Sequence, residues 1–455
     1  MTNAPLEQFD GEVYALIKME EQRQNSTVDL IPSENFTHPA VREALSSVFA
    51  HKYAEGQIGA RFYEGNAHVD ALEALAKERA KKAFSLDGSW GVCVQPSSGA
   101  GANLAVYNGL LNVGDTIMSM FLPDGGHLSH GWSFPEEGES AGAEEGVYLG
   151  GARKVSIVSK IYNVVQYKTD PKTRLFDYDN ISALAEKYKP KMIVTGGTAY
   201  PREIDYKAVS AIAKRIGALY MADVAHEAGL IAAGVNKSPF DYADVVTFTT
   251  HKTLRGPRGA LIIYKKEFEK QIEFSVFPGL QGGPHEHSIA AIAVCLKDAA
   301  SEGFREYAAQ VVKNAQYLAE KLLALGYDVV SGGTDKHLVL IDLRDKQINA
   351  RNLALALNAA GIVLNKNTVP GETKNSVNPS GIRMGTPSVT TRGMKEPQMD
   401  IIVSLFSRVT QIVKPVINLK YSEFAAKLGE ISELNAVKDE VAALCARFPF
   451  VSKLN

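Results

Sequence analysis

A lysine closes the run Val245-Val246-Thr247-Phe248-Thr249-Thr250-His251-Lys252 and stands just before Arg255-Gly256-Pro257-Arg258-Gly259. A β-branched, apolar run followed by a Gly/Pro-framed segment reads as a strand that ends in a tight turn. An amine placed there could form a Schiff base with a carbonyl compound, chemistry that needs burial to lower its pKa from about 10.4. Judged alone, Lys252 is more readily a solvated loop lysine. Its neighbours in the chain shift that balance.

Asp223 ends the run Ala218-Leu219-Tyr220-Met221-Ala222, which puts a carboxylate at the end of a buried strand. A buried acid needs a partner. The pyridinium nitrogen of pyridoxal phosphate is one such partner, and capping of a following helix is the ordinary alternative. His226, three residues on, could reach the same ring. Gln95-Pro96-Ser97-Ser98-Gly99-Ala100-Gly101 follows a short strand and opens a helix, so its N–H groups and the Ser98 hydroxyl could hold a phosphate. Gln281-Gly282-Gly283 could let a backbone approach the same group. His127, after Gly125-Gly126, is the candidate to stack on a cofactor ring. Arg383, in Ser380-Gly381-Ile382-Arg383-Met384-Gly385, offers a guanidinium fork for a carboxylate. Tyr53-Ala54-Glu55-Gly56 holds a carboxyl group that could act as general acid or base. Each of these is individually also a plain loop or surface residue.

The elements that must position them follow from periodicity. From about Ala71 to Tyr264, helical spacing alternates with the short apolar runs Thr116–Phe121, Met192–Thr195, Ala218–Ala222, Val245–Phe248 and Ala260–Tyr264, which implies a largely parallel sheet covered by helices. The first four runs end in Gly125-Gly126-His127, Gly196-Gly197-Thr198, Asp223 and Thr249 to Lys252, the strand ends where ligands sit in open α/β sheets. A helix over about Phe304 to Leu325, a strand Leu338–Leu343 and a helix near Ala350–Ala360 predict a second, α+β lobe. The N-terminal amphipathic helix, Val13–Gln24, has no sheet partner nearby and should pack on another lobe or another subunit. The segment Glu136–Gly146 is acidic and glycine-rich, and reads as an exposed loop.

The 455 residues call for two or three globular units. With 45% hydrophobic and 22% charged residues and a net charge of -2, nothing points to nucleic acid or a membrane surface. Cys93, Cys295 and Cys445 are too scattered for a disulfide framework or a metal site. The start, Met1 to Gly11, reads as neither signal nor transit peptide, and the expectation is a cytoplasmic protein.

In order along the chain, Leu30-Ile31-Pro32-Ser33-Glu34-Asn35-Phe36, Lys52 to Gly56, Gly125-Gly126-His127-Leu128, Thr249 to Gly259, Phe277-Pro278-Gly279, Asn365-Lys366-Asn367 and Ser380 to Pro387 resemble the serine hydroxymethyltransferase family. The resemblance implies the aspartate-aminotransferase-like fold type I. It gives an arm over residues 1–35, a large domain over 36–300 with a mostly parallel seven-stranded sheet, and a small α+β domain over 301–455. It implies reversible transfer of the serine hydroxymethyl group to tetrahydrofolate, giving glycine and 5,10-methylenetetrahydrofolate. Pyridoxal phosphate would be covalent on Lys252, flanked by Thr249 and His251 of the same motif. Asp223 would pair with the pyridine nitrogen and His127 stack on the ring, with His226 and Thr198 in support. Ser98, Gly99, Tyr53, Gly282 and Gly283 would hold the phosphate. Ser33, Tyr63 and Arg383 would bind the amino acid, and Glu55, Phe62, Tyr63, Leu122, Gly126, Leu128 and Asn367 the folate.

Glu55, Tyr53 and the paired glycines would come from a neighbouring subunit, so the resemblance also implies a homodimer, with pairing into tetramers left open. No metal is expected. The chain departs from the family pattern at Ser97, Ala100 and Gly101 of the phosphate loop, at Gln57-Ile58, Phe62 and Glu64, at Asp124, and in the acidic segment. These changes are expected to remove donors or add negative charge at the folate mouth. A folate-independent aldolase acting on other β-hydroxy amino acids is the alternative on the same scaffold.

Overall fold

The computed structural model describes residues 4–134, 147–149 and 153–450; the acidic segment Glu136–Gly146 lies outside them. Eight strands form the central sheet: β1 (Trp90–Cys93), β2 (Thr116–Met120), β3 (Val147–Tyr148), β4 (Asn163–Tyr167), β5 (Met192–Thr195), β6 (Leu219–Asp223), β7 (Val245–Thr249) and β8 (Ala260–Lys265). They lie in the order β1-β8-β7-β6-β5-β2-β4-β3. Strands β7, β6, β5, β2 and β4 pair in parallel. Strand β8 runs against both β7 and β1. The two-residue β3 is an antiparallel edge beyond the seven longer strands.

Every residue of β1, β5 and β7 is buried, as expected of strands covered by helices on both faces. Because β2, β5, β6 and β7 are parallel neighbours, their C-terminal ends share one edge. This edge gathers the segments that begin at Phe121, Gly196, Asp223 and Thr249. Gly196 makes the crowding there tolerable: its φ is +129°, and a Cβ would lie 2.1 Å from the Asp223 carbonyl oxygen.

A second core is built on β9 (Asp328–Val329), β10 (Leu338–Asp342), β11 (Asn365–Asn367) and β12 (Gly381–Gly385), antiparallel in the order β9-β10-β12-β11. The helix Glu302–Ala324 joins the two cores, with Phe304 and Val311 packed in the first and Leu318 and Leu322 in the second. The N-terminal segment docks on the second core of its own chain. Val28 and Leu30 are fully buried there, and Val28–Asp29 pairs in parallel with Ile362–Val363. Arg392 locks this connection by donating to the carbonyls of Gln24, Asn25 and Thr27. The helix Gly11–Ser26 buries none of its residues and leaves Leu16, Ile17 and Met19 exposed.

Candidate active site

At the C-terminal edge of the sheet opens a cavity of about 1210 Å³. Its wall includes Lys252, His226, His127, Thr198 and Gly126 from the large sheet's loops, Arg383 and Asn367 from the second core, and Ser33 from the N-terminal segment. Leu122 and Leu128 line its outer part. Asp223 stands behind this wall; Thr249 ends the strand before Lys252, His251 adjoins Lys252 in the chain, and a Cβ at Gly99, next to Ser98, would lie 2.6 Å from Thr249 Cγ2.

Lys252 sits in a turn that closes on itself. Thr250 N–H donates to the Gly259 carbonyl, Gly256 N–H to the Thr250 carbonyl, and the Thr250 hydroxyl to the Pro257 carbonyl. The Thr253 hydroxyl donates to the His226 carbonyl, tying the turn to the segment after β6. Asn35 reaches in from the N-terminal segment, its Nδ2 donating to the Lys252 carbonyl. Lys252 is only 9% exposed, and burial lowers its amine to about 8, opposed by the Asp223 charge and reinforced by Arg383 and Arg258. His251 beside it is pushed down to about 3 by burial, Lys252 and Arg258. The Thr249 hydroxyl is taken by the Ala225 carbonyl.

Asp223 is held more tightly than sequence reasoning anticipated. Its Oδ2 accepts from Asn103 Nδ2 and from His130 Nε2, both at 2.8 Å, and Oδ1 accepts from Ala225 N–H. Burial alone would raise its pKa, but the bond and charge of His130 hold it well below the usual carboxylate range. Asn103 is itself oriented by the Thr247 hydroxyl and by Ser129. His127 Nδ1 lies 2.7 Å from the same Ser129 hydroxyl, and burial lowers its imidazole to about 4, so it is neutral near pH 7. The ligand atoms of His127, His130 and Asp223 lie within 4.8 Å of one another. Asn103, Ser129 and His130 were missed in the sequence. The only signal was their closeness in the chain to chosen segments: Asn103 is two residues past Gly101, and Ser129 and His130 directly follow Leu128.

Arg383 points from β12 into the cavity with Nε donating to Asn365 Oδ1 and Nη1 to the Thr198 carbonyl. Burial lowers it to about 10, so it remains a cation. Among the described residues no carboxylate pairs with it, which leaves its charge for an anion in the cavity. Thr198 caps this arrangement by donating to the Gly126 carbonyl. Ser33 is brought alongside because Gly385 N–H donates to the Leu30 carbonyl and Pro32 packs directly on Gly385, where a Cβ would lie 2.5 Å from Pro32 Cα.

The remaining predicted residues gather elsewhere. Tyr53, Glu55, Phe62, Tyr63, Gly282 and Gly283 do not line the Lys252 cavity. The Tyr53 and Tyr63 rings meet edge-on at 5.0 Å, and Phe62 meets Phe277 at 5.6 Å. A Cβ built at Gly283 would lie 3.3 Å from the Tyr53 ring, and one at Gly282 3.1 Å from Glu55 Oε1. Tyr53, Phe62 and Tyr63 are exposed. Beneath them Arg61 donates to the Ala54 and Gly56 carbonyls and pairs with Asp70 and the buried Glu73. The turn at Gln95–Gly101 adjoins this face through Gln281, which accepts from Ser97 N–H and donates to the Gln95 carbonyl.

The Ser98 oxygen accepts from Gly101 N–H as the cap of its own helix, which leaves its O–H free to donate to a ligand such as a phosphate. Asp124 stands in the wall of the cavity. It is 5% exposed, accepts from Thr169 N–H and Oγ1–H, and is pushed up by burial.

The serine hydroxymethyltransferase family model matches residues 6–406. A serine hydroxymethyltransferase of Desulfotalea psychrophila is 46% identical over 98% of the chain and 95% of the relative. The mitochondrial serine hydroxymethyltransferase of Saccharomyces cerevisiae is 43% identical over 98% of the chain and 91% of its own length. The cytosolic one of Aspergillus fumigatus is 44% identical over 97% and 95%. With a buried lysine and an arginine that has no carboxylate partner among the described residues in one cavity, and likeness over nearly its whole length, the chain belongs to the serine hydroxymethyltransferase family of pyridoxal-phosphate-dependent transferases.

Proposed function

We propose that the chain catalyses reversible transfer of the serine hydroxymethyl group to tetrahydrofolate, giving glycine and 5,10-methylenetetrahydrofolate. The observation that carries this reading is the convergence on one cavity of a buried Lys252 amine lowered to about 8 and an Arg383 guanidinium without a carboxylate partner among the described residues. Pyridoxal phosphate fits these residues: a lowered amine suits a Schiff base, and the charged Asp223 behind it suits a protonated ring nitrogen. When bound, that cofactor supplies the electron sink for cleavage beside the amino-acid Cα.

The protein groups then have separable tasks. Lys252 would hold the cofactor, its lowered amine suited to forming and releasing a Schiff base. Arg383 and Ser33 fix the serine carboxylate, which orients the bond to be broken. His127, neutral near pH 7, offers its ring face without adding a charge. Asn367, Leu122, Gly126 and Leu128 form the folate side of the cavity. The volume far exceeds that of an amino acid, and Lys168, Lys366 and Lys374 on the outer wall suit an anionic co-substrate. That favours folate as acceptor over the aldolase reading.

Tyr53, Glu55, Phe62, Tyr63, Gly282 and Gly283 sit on an exposed face away from this cavity, so we assign them to the cavity of a second copy in a homodimer. There Glu55 would hold and move a proton at the one-carbon oxygen. The relatives include mitochondrial and cytosolic forms. Among the described residues no helix is long and apolar enough to cross a membrane. The test is serine cleavage by purified enzyme with and without tetrahydrofolate. Folate should accelerate glycine formation strongly, and a rate indifferent to folate would favour the aldolase.

A further inference from the structure

His226 is not the last histidine behind the cavity wall. Its Nδ1 lies 3.1 Å from Nε2 of His337, and the two rings stack at 5.4 Å with an interplanar angle of 23°. His337 is fully buried and directly precedes β10, while His226 is 7% exposed and follows β6. The residue before His337 and the residue after His226 form an ion pair beside it, Lys336 Nζ to Glu227 Oε2 at 2.7 Å, with both side chains 5% exposed. Thr386 N–H fixes the His337 carbonyl from the third side. The two segments are thus clamped in one register, and the imidazole pair is a built feature.

A 3.1 Å contact between two imidazole nitrogens requires one hydrogen between them. Both rings are held neutral, first by burial and then by the cations around them. Lys252 and Arg383 face both, and Lys336 adjoins His337. Two arrangements remain. If His226 Nδ1–H donates to His337, then His337 carries its own hydrogen on Nδ1. That atom is buried and has no partner among the described residues, so a buried N–H would be orphaned. If His337 Nε2–H donates instead, the orphan is a bare lone pair. Buried N–H groups without an acceptor are the rarer defect. The second arrangement therefore wins, and it leaves the His226 hydrogen on Nε2. No described protein group bonds that atom, and His226 lines the cavity.

We infer that His337 is a positioning residue that fixes the tautomer of His226, making His226 Nε2–H a hydrogen-bond donor aimed at an oxygen in the cavity. The donor stands at the end of the Asp223-Val224-Ala225-His226 segment, so it suits an oxygen of the cofactor or of the amino acid that gains negative charge during cleavage. This last step rests on the proposed function; the tautomer does not.

The test uses full-length enzyme with ¹⁵N-labelled histidine and two-bond ¹⁵N–¹H correlation spectra, recorded with and without pyridoxal phosphate. The His226 signals are identified by their loss in His226→Asn. The expected result is the Nε2–H tautomer in the parent and in His337→Gln, whose amide can still donate. His337→Phe keeps a ring but has no donor, and should shift His226 toward Nδ1–H. Its kcat for serine cleavage should fall about 10-fold with KM for serine unchanged, and His337→Gln should recover it. An Nδ1–H tautomer in the parent overturns the inference, as does a His337→Phe spectrum that leaves His226 unchanged. If His337→Phe fails to fold, the parent spectrum and His337→Gln still decide. A tautomer that follows His337 in a protein without serine turnover would sustain the inference and sink the proposed activity instead.

Discussion

Lys252 gives the sharpest quantitative expectation. Only the neutral amine attacks an aldehyde, and burial places Lys252 at about 8. At a pH of about 7.5, roughly a quarter of such amines are neutral, against about one in a thousand for an ordinary lysine near 10.4. Apoenzyme should therefore capture pyridoxal phosphate roughly 200-fold faster than a solvated lysine at that pH, less whatever its lower basicity takes back. Stopped-flow absorbance of the forming Schiff base, followed across pH, should show the rate climbing through about 8 and levelling above it. Arg383→Met removes one of the charges that lower the amine, so its midpoint should move up. The same shift has a stability counterpart. The buried amine binds fewer protons than the unfolded chain between about 8 and 10.4, so the apoenzyme should become more stable as pH rises through that window. A capture rate still climbing steeply near 10, or an equal rate in Lys252→Ala, would refute the placement of this amine.

Three further outcomes follow from the same geometry. Asp223→Asn must turn its amide toward the Asn103 and His130 donors or toward Ala225 N–H, so a donor faces a donor either way. The apoenzyme should lose about 2–4 kcal/mol in urea unfolding and bind pyridoxal phosphate at least about 10-fold more weakly, while an unchanged midpoint and affinity would contradict the bonding described. Arg383→Ala should raise KM for serine about 10- to 100-fold and Arg383→Lys should rescue little of it, since an ammonium cannot replace the fork that also holds Asn365 and Thr198. Mixing inactive Lys252→Ala and Glu55→Ala enzymes after joint refolding should restore about a quarter of full activity through hybrid dimers with one intact site, and no restoration would place Glu55 in the cavity of its own chain.

Most of the cavity was legible because its residues stand at the ends of consecutive apolar runs, and parallel strands bring such ends to one edge. Period and strand length sufficed to find Lys252, Asp223, Thr198 and His127. What stayed hidden depends on distance through space. Nothing in Asn103 or His130 announces that both turn toward Asp223 across the edge of the sheet. Asp124 stands in the cavity wall, as its place in the chain suggested, but its bonding was not legible. In the fold it is buried on Thr169, where its effect is to pin β2's exit to the segment after β4. The N-terminal segment makes the same point about packing. Its sequence has no sheet partner nearby, yet Val28–Asp29 pairs with Ile362–Val363 and Leu30 with Gly385, more than 300 residues away. Ser33 shares the cavity wall with Arg383 because Gly385 has no side chain to hold Pro32 off. The local pattern can therefore identify groups with chemistry, whereas their tautomers, charges and partners are set by contacts that the pattern does not encode.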